Sequence, residues 1–189
     1  MKLNLICVLI CCLFAGSLSA DDWDPNDDTF DPNIKSVVIG DRSWIGDPSP
    51  FVHTGSSRTG YTHVNATNWE GFDPAVQISL MVPLKVGETQ PPAGGMLMFN
   101  KDQTVKVVKI LTDALKADQK EVKRTQISTS LKDADWALVS TTDQGQRFLV
   151  LENKTKDKVH QYRFSVNATK KLIGAVKHSL KNLDSETKK

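Results

Sequence analysis

The spacing of hydrophobic residues along the chain changes twice from a strand-like period to a helical one. In the first half, residues 76–84 and 96–99 carry apolar runs separated by a loop rich in proline and glycine. Asn100 then opens a helical pattern, and Gln103 stands at the position that completes a capping box. The apolar stripe of this helix consists of Val105, Val108, Leu111 and Leu115. The pattern predicts a hairpin followed by an amphipathic helix.

The second half follows the same plan. Apolar runs at 136–140 and 147–151 and an alternating segment at 159–165 predict three strands. A helix is predicted from about Val166, with a stripe formed by Leu172, Ile173, Val176 and Leu180. Residues 125–130 are a candidate for one more strand between the halves.

The two strand-to-helix junctions align without a gap. FNKDQTVKVVKILTDALK, which begins at Phe99, superimposes on FSVNATKKLIGAVKHSLK, which begins at Phe164. Chance alone gives some similarity at any such junction, and the upstream hairpins match only in order. We nevertheless predict a duplicated hairpin-helix unit, with half-repeats at about 75–118 and 134–184. The expected fold is α+β, an antiparallel sheet with both amphipathic helices packed on one face.

The N-terminus has the composition of a cleavable signal peptide. Lys2 precedes an apolar run at 3–14, and small residues then lead to Ala20. A membrane-spanning helix needs about 20 apolar residues, so this run is too short to remain as an anchor. We expect cleavage after Ala20 (signal peptide 1–20), secretion to the outside or to a bacterial periplasm, and no integral membrane association.

All three cysteines lie inside that predicted signal peptide. The mature domain is therefore cysteine-free, and its stability has to come from a hydrophobic core rather than from disulfides. This excludes the small disulfide-stapled toxins and inhibitors. We expect one domain at 35–184, after an acidic extended arm at 21–34 and before a flexible tail at 185–189.

The net charge gives no reason to expect a particular class of partner, because its formal value is only +2. The arm carries six aspartates but lacks the glycine and the glutamate that a calcium loop needs at its sixth and twelfth positions. No histidine or carboxylate spacing predicts a metal site, and no motif predicts a cofactor.

Residues 46–74 are rich in Gly, Pro, Ser, Thr and Asn, and they predict a long loop. Long loops are usually functional or disordered. Aromatic rings within it could stack on a sugar or a peptide, and side-chain amides could form hydrogen bonds with it. The candidate ligand-binding residues are His53, Tyr61, His63, Asn68, Trp69 and Glu70.

An enzymatic alternative uses the same segment. In a hydrolase, His53 or His63 would act as the base, and a carboxylate would orient it. The candidate carboxylates are Asp47, Glu70 and Asp73. This hypothesis requires a histidine and a carboxylate within about 3 Å of each other in a cleft.

A third alternative concerns the second helix, whose lysines would bind an anionic glycan or nucleic acid. A solvated helix face is the commoner explanation for such lysines. They are Lys170, Lys171, Lys177 and Lys181. The hairpin-hairpin-helix plan is similar, in topology alone, to single-strand nucleic-acid binders that repeat a sheet-plus-helix unit. No motif residue supports that similarity and secretion argues against it, so we assign no family and expect no nucleic-acid partner.

Three Asn-x-Thr triplets make the chain a possible glycoprotein in a eukaryotic host. Their acceptors are Asn65, Asn153 and Asn167. Since no catalytic constellation is recognisable, the sequence favours a secreted, non-enzymatic binding or interaction protein with an unidentified extracellular or periplasmic ligand.

Overall fold

Both helices begin at a polar cap that directly follows a strand. In the computed structural model, α1 spans Lys101–Lys116 and α2 spans Val166–Glu186. Gln103 N–H donates to the Asn100 side chain (2.9 Å) and the Gln103 side chain accepts from the Asn100 N–H (3.0 Å), so the predicted capping box is confirmed. Ser165 caps α2, because its hydroxyl accepts from the Ala168 N–H at 3.1 Å.

The structure describes residues 36–39, 50–69, 73–89, 94–117, 123–131, 135–156 and 158–186. The strands within these ranges are β1 (Ser36–Ile39), β2 (Phe51–His53), β3 (Arg58–Trp69), β4 (Ala75–Met81), β5 (Gly95–Phe99), β6 (Arg124–Ile127), β7 (Asp135–Asp143), β8 (Gln146–Lys154) and β9 (Val159–Ser165).

These strands form one antiparallel sheet. Eight of them lie in the order β5-β4-β3-β2-β9-β8-β7-β6, and β1 pairs with β3 beside this path. The two halves of the chain meet where β2 pairs with β9, with Phe51 opposite Phe164. The sheet is curled, because groups near opposite ends of this order meet: Ser130 N–H, just after β6, donates to the Met98 carbonyl of β5 (2.7 Å). Tyr162 O–H of the central strand β9 also donates to the Gly94 carbonyl beside β5 (2.7 Å).

The two faces of the sheet differ in composition, and we call them the inner and the outer face. The inner face is the one whose side chains belong to the hydrophobic core, and residues of both helices belong to the same cluster. Its largest fully buried members include Phe51, Phe99, Trp136, Tyr162 and Phe164. Arg147 ties the C-terminal end of α1 to the sheet, since its guanidinium donates to the Leu115 carbonyl at 2.9 Å and to that of Ala114.

The prediction of a long loop at 46–74 is wrong. Strands β2 and β3 lie within that segment, and β3 pairs with β4 over Tyr61–Thr67 and with β2 at Arg58–Gly60. The cause lies in the inward side chains of β3, which apart from Val64 are small or polar and give little hydrophobic alternation. They are Gly60, Thr62, Val64 and Ala66.

The broad α+β prediction is confirmed, as are both helix starts and the extra strand, which is β6. The predicted tail is corrected at one point, because α2 continues to Glu186. The signal peptide, the acidic arm and residues 187–189 lie outside the described residues. In the described part of the chain, neither helix combines the length and the apolar character needed to cross a bilayer.

Candidate functional site

The outer face carries a shallow groove where β2, β9 and β8 lie side by side. It has a volume of about 390 Å³, and strand residues or residues adjoining strands line it: Pro50, Phe51, Val52, Thr59, Phe148, Arg163 and Ser165. Val52 is 40% exposed, which is unusual for a valine in the middle of a strand that is paired on both sides. No described helix residue contributes to the lining.

Arg163 and Phe148 form one wall of this groove. The Arg163 guanidinium carbon lies 3.6 Å from the centre of the Phe148 ring, which is close enough for a cation–π interaction. Asp143 accepts from the same guanidinium at 2.7 Å. Arg163 is therefore held over the ring and paired with a carboxylate, while a quarter of its side chain remains accessible.

Strand β3 extends the outer face beyond the groove. Thr59, Tyr61 and His63 alternate along it and point the same way, about 7 Å apart in succession. The Tyr61 and His63 rings are tilted against each other, with their centres 5.4 Å apart. Burial lowers the pKa of His63, so this imidazole is neutral at physiological pH.

Two other predicted ligand residues lie elsewhere. His53 is buried on the inner face, where its Nδ1 is 2.9 Å from the Ser56 hydroxyl and its ring stacks on His160 at 5.9 Å. Asn68 is exposed near the end of β3 and follows the same alternation as the inward positions, so it does not share the face of Tyr61 and His63. Glu70 and the side chain of Trp69 lie outside the described residues. The structure thus brings together Tyr61 and His63 and separates both from His53.

Burial, then the neighbouring charges of His160 and Arg58, lowers the pKa of His53. We therefore expect the free energy of unfolding to fall as the pH drops below about 6.5, because the unfolded chain then binds a proton that the folded chain does not. The stabilisation is complete above the unfolded pKa and is lost as the pH falls through the folded pKa. Urea unfolding near pH 7.5 and near pH 5 measures this difference, which His53→Gln should reduce. An unchanged pH dependence in that variant would contradict the assignment.

The acid–base pair that a hydrolase would need is not assembled in the described ranges. His53 is bonded to a hydroxyl, and His63 lies on the opposite face. Asp73 is exposed, and Asp47 and Glu70 lie outside the described residues. Among the residues that the structure describes, no group of three or more His, Cys, Asp or Glu side chains is placed to hold a metal ion.

No family model, curated protein or solved structure matches this chain. Its function therefore has to be argued from geometry and chemistry.

Sequence reasoning missed Val52, Phe148 and Arg163, which form the most distinctive part of the outer face. One signal was present: alternation along 159–165 places Gln161, Arg163 and Ser165 on a common face. The pairing of β2 with β9 brings Val52 beside them, and no local pattern encodes that pairing.

The remaining candidate residues lie at the surface or at strand edges. The four lysines of α2, at 170, 171, 177 and 181, are all exposed. Of the possible glycosylation sites, Asn167 is exposed in the first turn of α2, whereas Asn65 and Asn153 are half-buried within strands.

Proposed function

We propose that this protein is an exported, non-enzymatic binding protein that takes its ligand on the outer face of the sheet. The observation that carries the proposal is the groove beside Phe148 and Arg163, where an exposed valine and a ring lie in a lining without any described helix residue. Concave sites with apolar walls and a few oriented polar groups are where proteins usually bind small ligands.

The charges on this face favour a neutral ligand. Arg163 is paired with Asp143, and Arg124 is paired with Glu152, so the outward guanidiniums do not offer free positive charge. Tyr61 supplies a ring face, Phe148 supplies an apolar ring beside Arg163, and the hydroxyls of Thr59 and Ser165 supply hydrogen-bonding groups. A sugar ring or an uncharged peptide segment matches this combination.

The test is a binding screen of the mature chain (residues 21–189) against neutral glycans and uncharged peptides, followed by titration calorimetry of each hit. Phe148→Ala should weaken a hit by about tenfold or more, because the ring forms the groove wall. Val159→Ala is the matched control, since Val159 is an exposed strand residue outside the groove lining. Absence of any hit, or equal affinity in Phe148→Ala, would contradict the proposal.

Export rests on the N-terminal composition. Expression of the full chain in a secreting host should release a protein whose N-terminal residue is Asp21, as its intact mass would show. Recovery of the uncleaved chain from the cytosol alone would contradict export.

We further propose that the chain arose from a duplicated unit whose two helices pack on the same face of the sheet. Several matched details support this. Thr104 and Thr169 are both buried, and each hydroxyl donates to the carbonyl of its cap residue, at 2.7 and 2.9 Å respectively. Buried residues of both helices, such as Leu111 and Leu172, also belong to one hydrophobic cluster.

Equivalent helices should respond equally to loss of their caps. We expect Asn100→Ala and Ser165→Ala each to lower the free energy of unfolding by about 1 kcal/mol, because each removes an acceptor for an otherwise unpaired backbone N–H. Denaturant unfolding measures both. A loss at one cap and none at the other would count against equivalence.

A further inference from the structure

Three lysines of α2 form a straight row on its exposed side, and we call Lys170, Lys177 and Lys181 the lysine stripe. At about 100° per residue, Lys177 and Lys181 lie about 20° to either side of Lys170 around the helix axis, and the row is about 16 Å long. Lys171 lies about 100° away and is not part of it. The opposite side of the helix is buried in the core.

The stripe is unbalanced in charge. Within the described residues, the ion pairs do not include any of its three lysines, and Asp184 of the same helix is bonded to Lys101 of α1. Lys177 and Lys181 are also four residues apart, a spacing at which like charges destabilise a helix. An external polyanion would relieve this repulsion.

Gly174 lies inside the stripe, about 40° from Lys170 around the axis and between it and Lys177 along the helix. It is exposed, and a Cβ built on it would meet nothing within 4 Å. Packing therefore does not require a glycine here. Glycine is also less favourable than alanine within a helix, so helix stability does not explain it either. Its absent side chain leaves the helix backbone open to close approach by a flat group.

We propose that the lysine stripe and Gly174 form a binding site for an anionic polysaccharide, with sulfate or carboxylate groups on the three lysines and a sugar ring over Gly174. The choice of a polysaccharide over a nucleic acid rests on the proposed export. The site is separate from the groove on the outer face, which consists of strand residues and the residue before β2 and whose arginine is paired with Asp143.

Heparin is the probe, and affinity is measured by calorimetry at several salt concentrations. The mature wild-type chain should bind with an affinity that falls steeply with salt. Lys170→Gln/Lys177→Gln/Lys181→Gln should weaken binding and reduce the slope of log affinity against log salt by about two to three, through the loss of three cation contacts. Lys85→Gln/Lys123→Gln/Lys158→Gln removes the same charge from exposed lysines on other segments and should leave the affinity near that of the wild type.

A variant of Gly174 provides a second test, whose outcome cannot be explained by a change in net charge. Gly174→Gln should weaken heparin binding severalfold without changing the charge, while the melting temperature stays level or rises. Equal affinity in Gly174→Gln would overturn close approach at this position. Equal affinity in the triple stripe variant would overturn the site itself.

A single-stranded oligonucleotide of matched charge decides the class of polymer. Tighter binding of the oligonucleotide than of heparin, with the same lysine dependence, would overturn the polysaccharide assignment. Heparin binding is measured without any neutral ligand, so its outcome is independent of whether the outer-face groove binds one.

Discussion

Replacing Trp136 by alanine should lower the free energy of unfolding by about 3–5 kcal/mol, the cost of removing a large buried ring. Trp136 is completely buried on the inner face, and its ring stacks on that of Tyr162 with the centres 5.8 Å apart. It also fills the space above Gly95, where a Cβ would lie 2.7 Å from the indole. Urea unfolding followed by circular dichroism measures the effect.

Trp136→Phe is the matched control for this prediction. The indole N–H has no hydrogen-bond partner in the described part of the structure, so its contribution comes from packing, and a smaller ring should retain part of it. A loss below about 1 kcal/mol in Trp136→Ala would show that the ring is not in a packed core.

Gly60→Ala should be the second most damaging of these changes, with a loss of about 1–3 kcal/mol or more from overpacking. A Cβ at position 60 would lie 2.5 Å from the Met81 carbonyl oxygen and closer still to the Phe51 ring. The backbone oxygen cannot move without disturbing the β3–β4 pairing, and the ring is fully buried.

Gly174→Ala is the matched control, since the same change there meets nothing within 4 Å and should raise stability by about 0.5–1 kcal/mol. Thermal unfolding of the two variants side by side measures the contrast. If both glycines tolerate alanine equally, the close approach of β2, β3 and β4 at Gly60 is wrong.

The sequence was sufficient for the helices because their signals are local. The cap of α1 lies within one segment, and Asn100 and Gln103 bond as the capping-box pattern requires. The predicted stripe is correct only in part, because Leu111 is buried whereas Val105 is 53% exposed and Val107 is buried in its place. Strand β3 was missed because neither of its faces carries a regular row of large apolar side chains. Its inward side chains are mostly small or polar and its outward ones are polar or aromatic, so the alternation gives little apolar signal.

The candidate site was predicted only in part, because its geometry depends on register. Tyr61 and His63 do share the outer face. His53 does not, since it pairs with Arg58, and His63 follows Arg58 by an odd number of residues along β3. The turn between β2 and β3 sets this register, and composition does not reveal it. Likewise, Val52 reaches Arg163 only through the long-range pairing of β2 with β9.

The most direct test of the outer-face site is amide and side-chain chemical-shift mapping of the mature chain with the neutral saccharides and uncharged peptides of the screen. We predict shifts concentrated at Val52, Thr59, Phe148 and Arg163, with the lysine stripe unaffected. Shifts confined to other surfaces, or none with any of these ligands, would contradict the account.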